Sequence, residues 1–66
     1  MVKQRFLRLP EVCRIVGLPR STIYKLMVNG DFPKPIPLTE RTRAWLEDEI
    51  ILWQEERVLR RSGHAA

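Results

Sequence analysis

Two stretches of helical character are separated by just Gly17-Leu18-Pro19, and no other feature of this 66-residue chain restricts its fold as tightly. Upstream, Leu9 to Val16 carries the marks of a compact helix. Pro10 suits the first helical position, where a missing N–H costs nothing, Glu11 suits the positive end of the dipole, and Gly17 suits the left-handed residue that stops a helix. Leu9, Val12, Ile15 and Val16 form the expected inward stripe, with Cys13 at its flank. Downstream, residues 20 to 29 read as a second helix: Pro19 is tolerated in the first turn, and Asn29-Gly30 supplies the stop. At about 3.6 residues per turn Ile23, Leu26 and Met27 share one face, while Ser21, Lys25 and Val28 look the other way, flanked by Thr22 and Tyr24. Two short amphipathic helices joined by about three or four residues make a helix-turn-helix, in which the first helix braces the second.

After this unit proline occupies every second position, at 33, 35 and 37. In an extended chain such residues direct their backbone nitrogens to one edge, so that edge is silent while 34, 36 and 38 remain able to pair on the other. The expected element is an edge strand that resists aggregation. Thr39-Glu40-Arg41-Thr42 reads as a turn and Arg43-Ala44-Trp45 as the return strand, which gives a small hairpin over residues 33–45. A proline-rich ligand is the competing reading, but P-K-P-I-P lacks P-x-x-P spacing and lies between ordered elements. Upstream of the first helix, Phe6-Leu7 is expected as a short strand or an extended arm.

From Leu46 to about Arg61 the helical period returns. Glu47, Asp48 and Glu49 lie in the first turn and Arg57, Arg60 and Arg61 in the last, the order that complements the dipole; Glu56 and Arg60 add an i,i+4 pair. Leu46, Ile50 and Trp53 form the inward stripe, and Trp45 and Trp53 are expected in the core rather than as a base-stacking platform. Ile51 with Val58, and Leu52 with Leu59, recur at seven residues on the outward sides, where an uncovered pair marks a partner surface. Residues 62–66 are expected as a disordered tail, leaving one domain over 1–61.

A chain this short builds one core at most. One cysteine forms no internal disulfide, and one tail histidine, His64, leaves no zinc-type cluster. No signal peptide is evident, and the longest apolar run, Ile50 to Trp53, is too short to span a bilayer, so the expectation is a soluble, cytoplasmic protein without a cofactor. Charge is unevenly placed. Residues 1–46 hold nine Lys/Arg against three acids, a net +6, while residues 47–66 hold three against five, a net −2. A one-sided positive field attracts polyanions, because each neutralised phosphate releases counterions. An enzyme needs converging acid, base or nucleophile groups in a pocket, and this composition offers none.

The segments F-L-R-L-P-E-V-C-R-I-V-G-L-P-R-S-T-I-Y-K-L at 6–26, N-G-D-F-P-K-P-I at 29–36 and R-A-W-L-E-D-E-I at 43–50 resemble the AlpA-type prophage regulators. These are small DNA-binding proteins related to phage excisionases and to the DNA-binding domain of MerR-type regulators. The likeness covers about residues 5 to 57. In the family, the run matching Ser21 to Leu26 opens the recognition helix, F-P-K-P leads into the wing, and the run matching Trp45 to Ile50 enters the last helix. Pro19 stands where relatives often have serine, which removes a capping hydroxyl. The resemblance implies a mainly α protein with a small β-hairpin wing, a winged helix-turn-helix, that regulates prophage or integrative-element genes or assists excision as a recombination directionality factor.

On this reading double-stranded DNA is the partner. Arg20 and Lys25 are the major-groove candidates, Arg20 because its planar fork can bind guanine bidentately. Ser21, Thr22 and Tyr24 are expected at phosphates or nearby bases, and Lys34, Arg41 and Arg43 at the backbone or minor groove. Arg5 and Arg8 extend that strip, with Arg14 a weaker phosphate candidate. The competing role for Arg20 is an ion pair with Glu11 or Glu40. The rival function is a protein-interaction module on the same fold, with the outward face of the last helix meeting RNA polymerase or a second copy.

Overall fold

A computed structural model describes the backbone of residues 4–64 and the side chains of residues 4–61. The order is β1 (Phe6–Leu7), α1 (Leu9–Val16), α2 (Arg20–Val28), β2 (Ile36–Pro37), β3 (Arg43–Leu46) and α3 (Glu47–His64). This is a mainly helical fold with a small antiparallel wing, a winged helix-turn-helix. The backbone of α3 continues to His64, and residues 65–66 of the expected tail lie outside the described residues.

Local chemistry sets the helix-turn-helix. Gly17 adopts φ 74°, and its N–H donates to the Cys13 carbonyl at 2.9 Å. Apart from the adjoining stretch of chain, nothing lies within 4 Å of where a Cβ would stand, so the left-handed backbone alone favours glycine there. Pro10 occupies the first turn of α1. Pro19 is the N-cap of α2, its carbonyl accepting the N–H groups of Thr22 at 3.1 Å and Ile23 at 3.2 Å. At the other end Gly30, φ 77°, turns the chain away, and Asp31 N–H returns to the Leu26 carbonyl at 2.7 Å.

The core consists of Leu7, Val12, Ile23, Phe32, Trp45 and Ile50, with Leu9, Cys13, Val16, Leu18, Leu26, Met27 and Trp53 packed around it. One expectation is corrected. Ile15 is 40 % exposed, and Cys13 takes the inward place assigned to it. Once Val12 is fully buried, Leu9, Cys13 and Val16 complete its i, i+3, i+4 neighbourhood, and Ile15 falls on the opposite flank.

The sheet has three strands in the order β1-β3-β2. β3 is central, with Phe6 opposite Leu46 and Leu7 opposite Trp45 on one side, and Ile36 opposite Ala44 and Pro37 opposite Arg43 on the other. Phe6-Leu7 is thus a paired strand rather than a free arm. The hairpin forms at Thr39 to Thr42 as expected: Leu38 N–H donates to the Thr42 carbonyl at 2.7 Å, and the Thr39 hydroxyl accepts the Arg41 N–H at 3.2 Å. The proline-flanked strand is shorter than its pattern suggests, and Lys34 lies outside the ladder. Its approach is taken up by a side chain instead, because Trp45 Nε1 donates to the Pro33 carbonyl at 2.8 Å.

Trp53 Nε1 makes a matching bond to the Asp31 carbonyl at 2.7 Å. Between these two anchored carbonyls Phe32 lies edge-on to both indoles, with ring centroids 6.5 Å from Trp45 and 4.9 Å from Trp53. Arg57 covers the outer face of Trp53, 4.8 Å from its centroid. The segment joining α2 to the hairpin is therefore held from both sides. Phe32→Ala is expected to cost about 3–5 kcal/mol in chemical denaturation, whereas Gly17→Ala, which meets open space, should cost only the left-handed strain of about 1–2 kcal/mol.

Candidate nucleic-acid interface

The second helix of the motif offers a bare N-terminus. Pro19 supplies no side-chain cap, and among the described residues the N–H groups of Arg20 and Ser21 have no hydrogen-bond partner. Such unsatisfied donors, at the positive end of a dipole, suit an anion. Behind them Ile23 is fully buried and Leu26 and Met27 pack on the core, which fixes the roll of the helix. Ser21, Lys25 and Val28 then share the solvent face, Val28 being 86 % exposed. A hydroxyl, an ammonium and an apolar group along one line match the donors and methyl contacts that base edges accept. Thr22 is half-buried at the margin of this face.

A cleft of about 270 Å³ separates α2 from the hairpin, lined by Tyr24, Pro35, Glu40, Arg41, Arg43 and Trp45, with Arg8, Leu9 and Pro10 closing one end. Of the residues expected to bind DNA, the structure brings Tyr24, Arg41 and Arg43 together here. Arg20, Ser21, Thr22, Lys25 and Lys34 do not line it; Arg20, Ser21 and Lys25 stand exposed on α2, and Lys34 is exposed on the approach to β2. Sequence alone puts Arg8 only at the edge of the basic strip. The fold moves it into the cleft because the β1–α1 junction abuts the hairpin, a non-local consequence of β1 pairing with β3.

Ion pairing divides the arginines. Arg5, the other proposed extension of the strip, is committed internally: it donates to Glu11 at 2.8 Å and to Glu47 at 3.5 Å, joining the first turns of α1 and α3. Its carbonyl also accepts the Glu47 N–H at 2.8 Å. Among the described residues Arg20 pairs with neither Glu11, which Arg5 engages, nor Glu40. Arg8, Arg20, Lys25, Lys34, Arg41 and Arg43 make no ion pair or side-chain hydrogen bond among the described residues. A set of unpaired cations around one cleft and one helix end is a surface awaiting an anion. The acidic first turn of α3 borders a different, larger cleft of about 330 Å³ where Asp31, Glu49 and Glu56 outnumber Arg57 and Arg60, whereas the α2–hairpin cleft sets Arg8, Arg41 and Arg43 against Glu40. No group of three His, Cys, Asp or Glu among the described residues is placed to hold a metal ion.

Comparison with known proteins matches residues 5–58 to the family described as Prophage CP4-57 regulatory protein (AlpA). The chain belongs to this family of winged helix-turn-helix regulators, which are regulatory rather than catalytic proteins. It is 42 % identical, over its whole length and 76 % of the relative's, to "Uncharacterized protein ORF88" of Enterobacteria phage P4. It is 36 % identical, over 80 % of this chain and 84 % of the relative, to "DNA-binding transcriptional activator AlpA" of Escherichia coli strain K12.

The pairing pattern separates structural from available arginines in a way that stability measurements test. Arg5→Ala should destabilise the fold by about 0.2–1 kcal/mol, as expected for an exposed ion pair. Arg41→Ala and Arg43→Ala should stay within about 0.5 kcal/mol of wild type in the same denaturant titration.

Proposed function

We propose that this chain is a sequence-specific, double-stranded-DNA-binding transcriptional regulator of prophage or integrative-element genes, acting through residues 1–61 as one binding unit. One observation carries the reading: unpaired cations surround both the bare end of α2 and the cleft between α2 and the hairpin. α2 enters the major groove with its N-terminal turn nearest the bases, the docking mode of helix-turn-helix proteins. Arg20 and Lys25 contact base edges, and Ser21, Thr22 and Tyr24 bond phosphates or adjacent bases. Val28 presents its methyls along the same face, a complement to a thymine methyl group. Lys34, Arg41 and Arg43 follow the backbone or minor groove, and Arg8 adds a phosphate contact where the cleft closes. The description of the E. coli relative as a DNA-binding transcriptional activator supports this function. No described helix is long and apolar enough to cross a membrane, and contact with DNA assigns the protein to the cytoplasm.

This division of labour has separable signatures. Arg20→Ala should lose about 1–3 kcal/mol at a specific site and relax discrimination at one position, whereas Arg41→Ala should weaken all duplexes alike and lower the salt slope by about one. Fluorescence anisotropy with specific and random duplexes at several salt concentrations measures both. Equal losses and equal slopes for the two variants would overturn the assignment, and absence of salt-sensitive binding to any duplex would overturn the function. Glu40 is the one carboxylate lining the cleft. Glu40→Gln should therefore tighten binding to specific and random duplexes alike, since it removes a like charge from beside the phosphates.

A further inference from the structure

β3 runs straight into α3, so the hairpin and the last helix form one body, while α2 packs chiefly on α1. The start of α1 is tied to that body by the β1 ladder and by Arg5, which bridges Glu11 and Glu47. The end of α2 is tied to it separately. Asp31 N–H bonds back to the Leu26 carbonyl at 2.7 Å, which makes Asp31 an extension of α2. The Asp31 carbonyl then accepts Trp53 Nε1 at 2.7 Å and Arg57 Nη2 at 3.5 Å, both from α3. Residues 31–35 belong to no helix or strand, and the two-residue ladder of β2 orients the chain poorly on its own. The direction of α2 relative to the hairpin is therefore set by side chains of α3 and β3 gripping one short segment. Without the grip at Asp31, the pair of α1 and α2 is free to pivot about its other tie, at the start of α1.

We infer that Trp53 is a positioning residue for DNA binding, an inference that rests on DNA being the partner of the basic surface. Its bond to the Asp31 carbonyl, with Arg57 stacked on the indole, holds α2 and the hairpin in the relative pose in which a single duplex meets both. Trp53 lines the cleft bordered by Glu49 and Glu56 and not the one between α2 and the hairpin, so it acts through α2 rather than by contact.

Once α2 is docked, the hairpin arginines reach the same duplex as an intramolecular event, and the gain depends on how narrowly the joint restricts their direction. A loose joint leaves each contact available and lowers the benefit of making both. Trp53→Phe loosens it with little other change. An aromatic ring remains against Phe32 and beneath Arg57, the N–H donor is lost, and the exposed Asp31 carbonyl turns to water.

The test measures binding of the full chain to a random-sequence duplex by fluorescence anisotropy at low salt, with Trp53→Phe placed in two backgrounds. In the otherwise wild-type chain affinity should fall about tenfold, a modest part of the roughly 10²–10⁴-fold gain that joining two contacts can supply. With Arg41 and Arg43 both replaced by alanine, the same change should cost no more than about twofold, since there is little left for the joint to align. Damage to the fold would cost the same in both backgrounds, and that equality would overturn the proposal, as would the absence of any loss. Trp45 is then the one indole left, and an unchanged emission maximum checks that the core keeps its packing. Arg57→Lys keeps the charge and gives up the planar stack, so it should show the same dependence on background to a smaller extent. If Trp53→Phe does not fold, Arg57→Lys decides by the same comparison. A wild-type chain without salt-sensitive binding to the duplex would overturn the DNA-binding function, and this role with it.

Discussion

Everything that distinguishes this fold from a bare pair of helices depends on how residues 31–33 are held. Two indole N–H groups fix two backbone carbonyls on either side of Phe32, and the phenyl ring fills the space between the indoles. Trp45 comes from β3 and Trp53 from α3, so the joint ties the hairpin and the last helix to the end of α2 in one cluster. A small domain has few such opportunities, since its core is limited by its surface. Here the same aromatic groups bury area, satisfy carbonyls in an irregular segment, and set the angle between α2 and the hairpin. The width of the cleft between those elements follows from that angle.

The basic residues fall into two populations that composition does not separate. Arg5 spends its charge inside the fold, bridging the starts of α1 and α3 at the point where β1 joins the sheet. The arginines and lysines on α2, the hairpin and the β1–α1 junction have no internal counter-charge among the described residues. Five of the eight acids lie on α3, so the electrostatic asymmetry of the sequence becomes one between a helix and the cleft-bearing face. Solvated exposed pairs contribute little to stability, so the cost of leaving cations unpaired is small. Such a surface is affordable even for a domain of this size.

The helix-turn-helix was legible because its determinants are local. Gly17 and Pro19 act through their own dihedral angles, and the stripe of Ile23, Leu26 and Met27 follows from the helical period alone. The hairpin turn was legible for the same reason. Three points were not. The exchange of Ile15 for Cys13 at the core depends on where a short helix is rolled by its neighbours, and about two turns of periodicity fix that poorly. The ladder of β2 spans only Ile36 and Pro37, and the Pro33 carbonyl before it is bound by an indole twelve residues away. The entry of Arg8 into the cleft, and the withdrawal of Arg5 from it, required the antiparallel pairing of β1 with β3 across some forty residues of chain. Proline spacing, charge and helical period contain none of these long-range facts.

The aromatic joint has an optical consequence. The chain has two tryptophans, and both donate to carbonyls of the segment linking α2 to the hairpin. One is buried, and the other is half-buried beneath a guanidinium. Their ultraviolet emission thus originates wholly at the hinge between the two elements that flank the cleft. The unlabelled protein carries a built-in gauge of whether that hinge yields or stays rigid when something occupies the cleft.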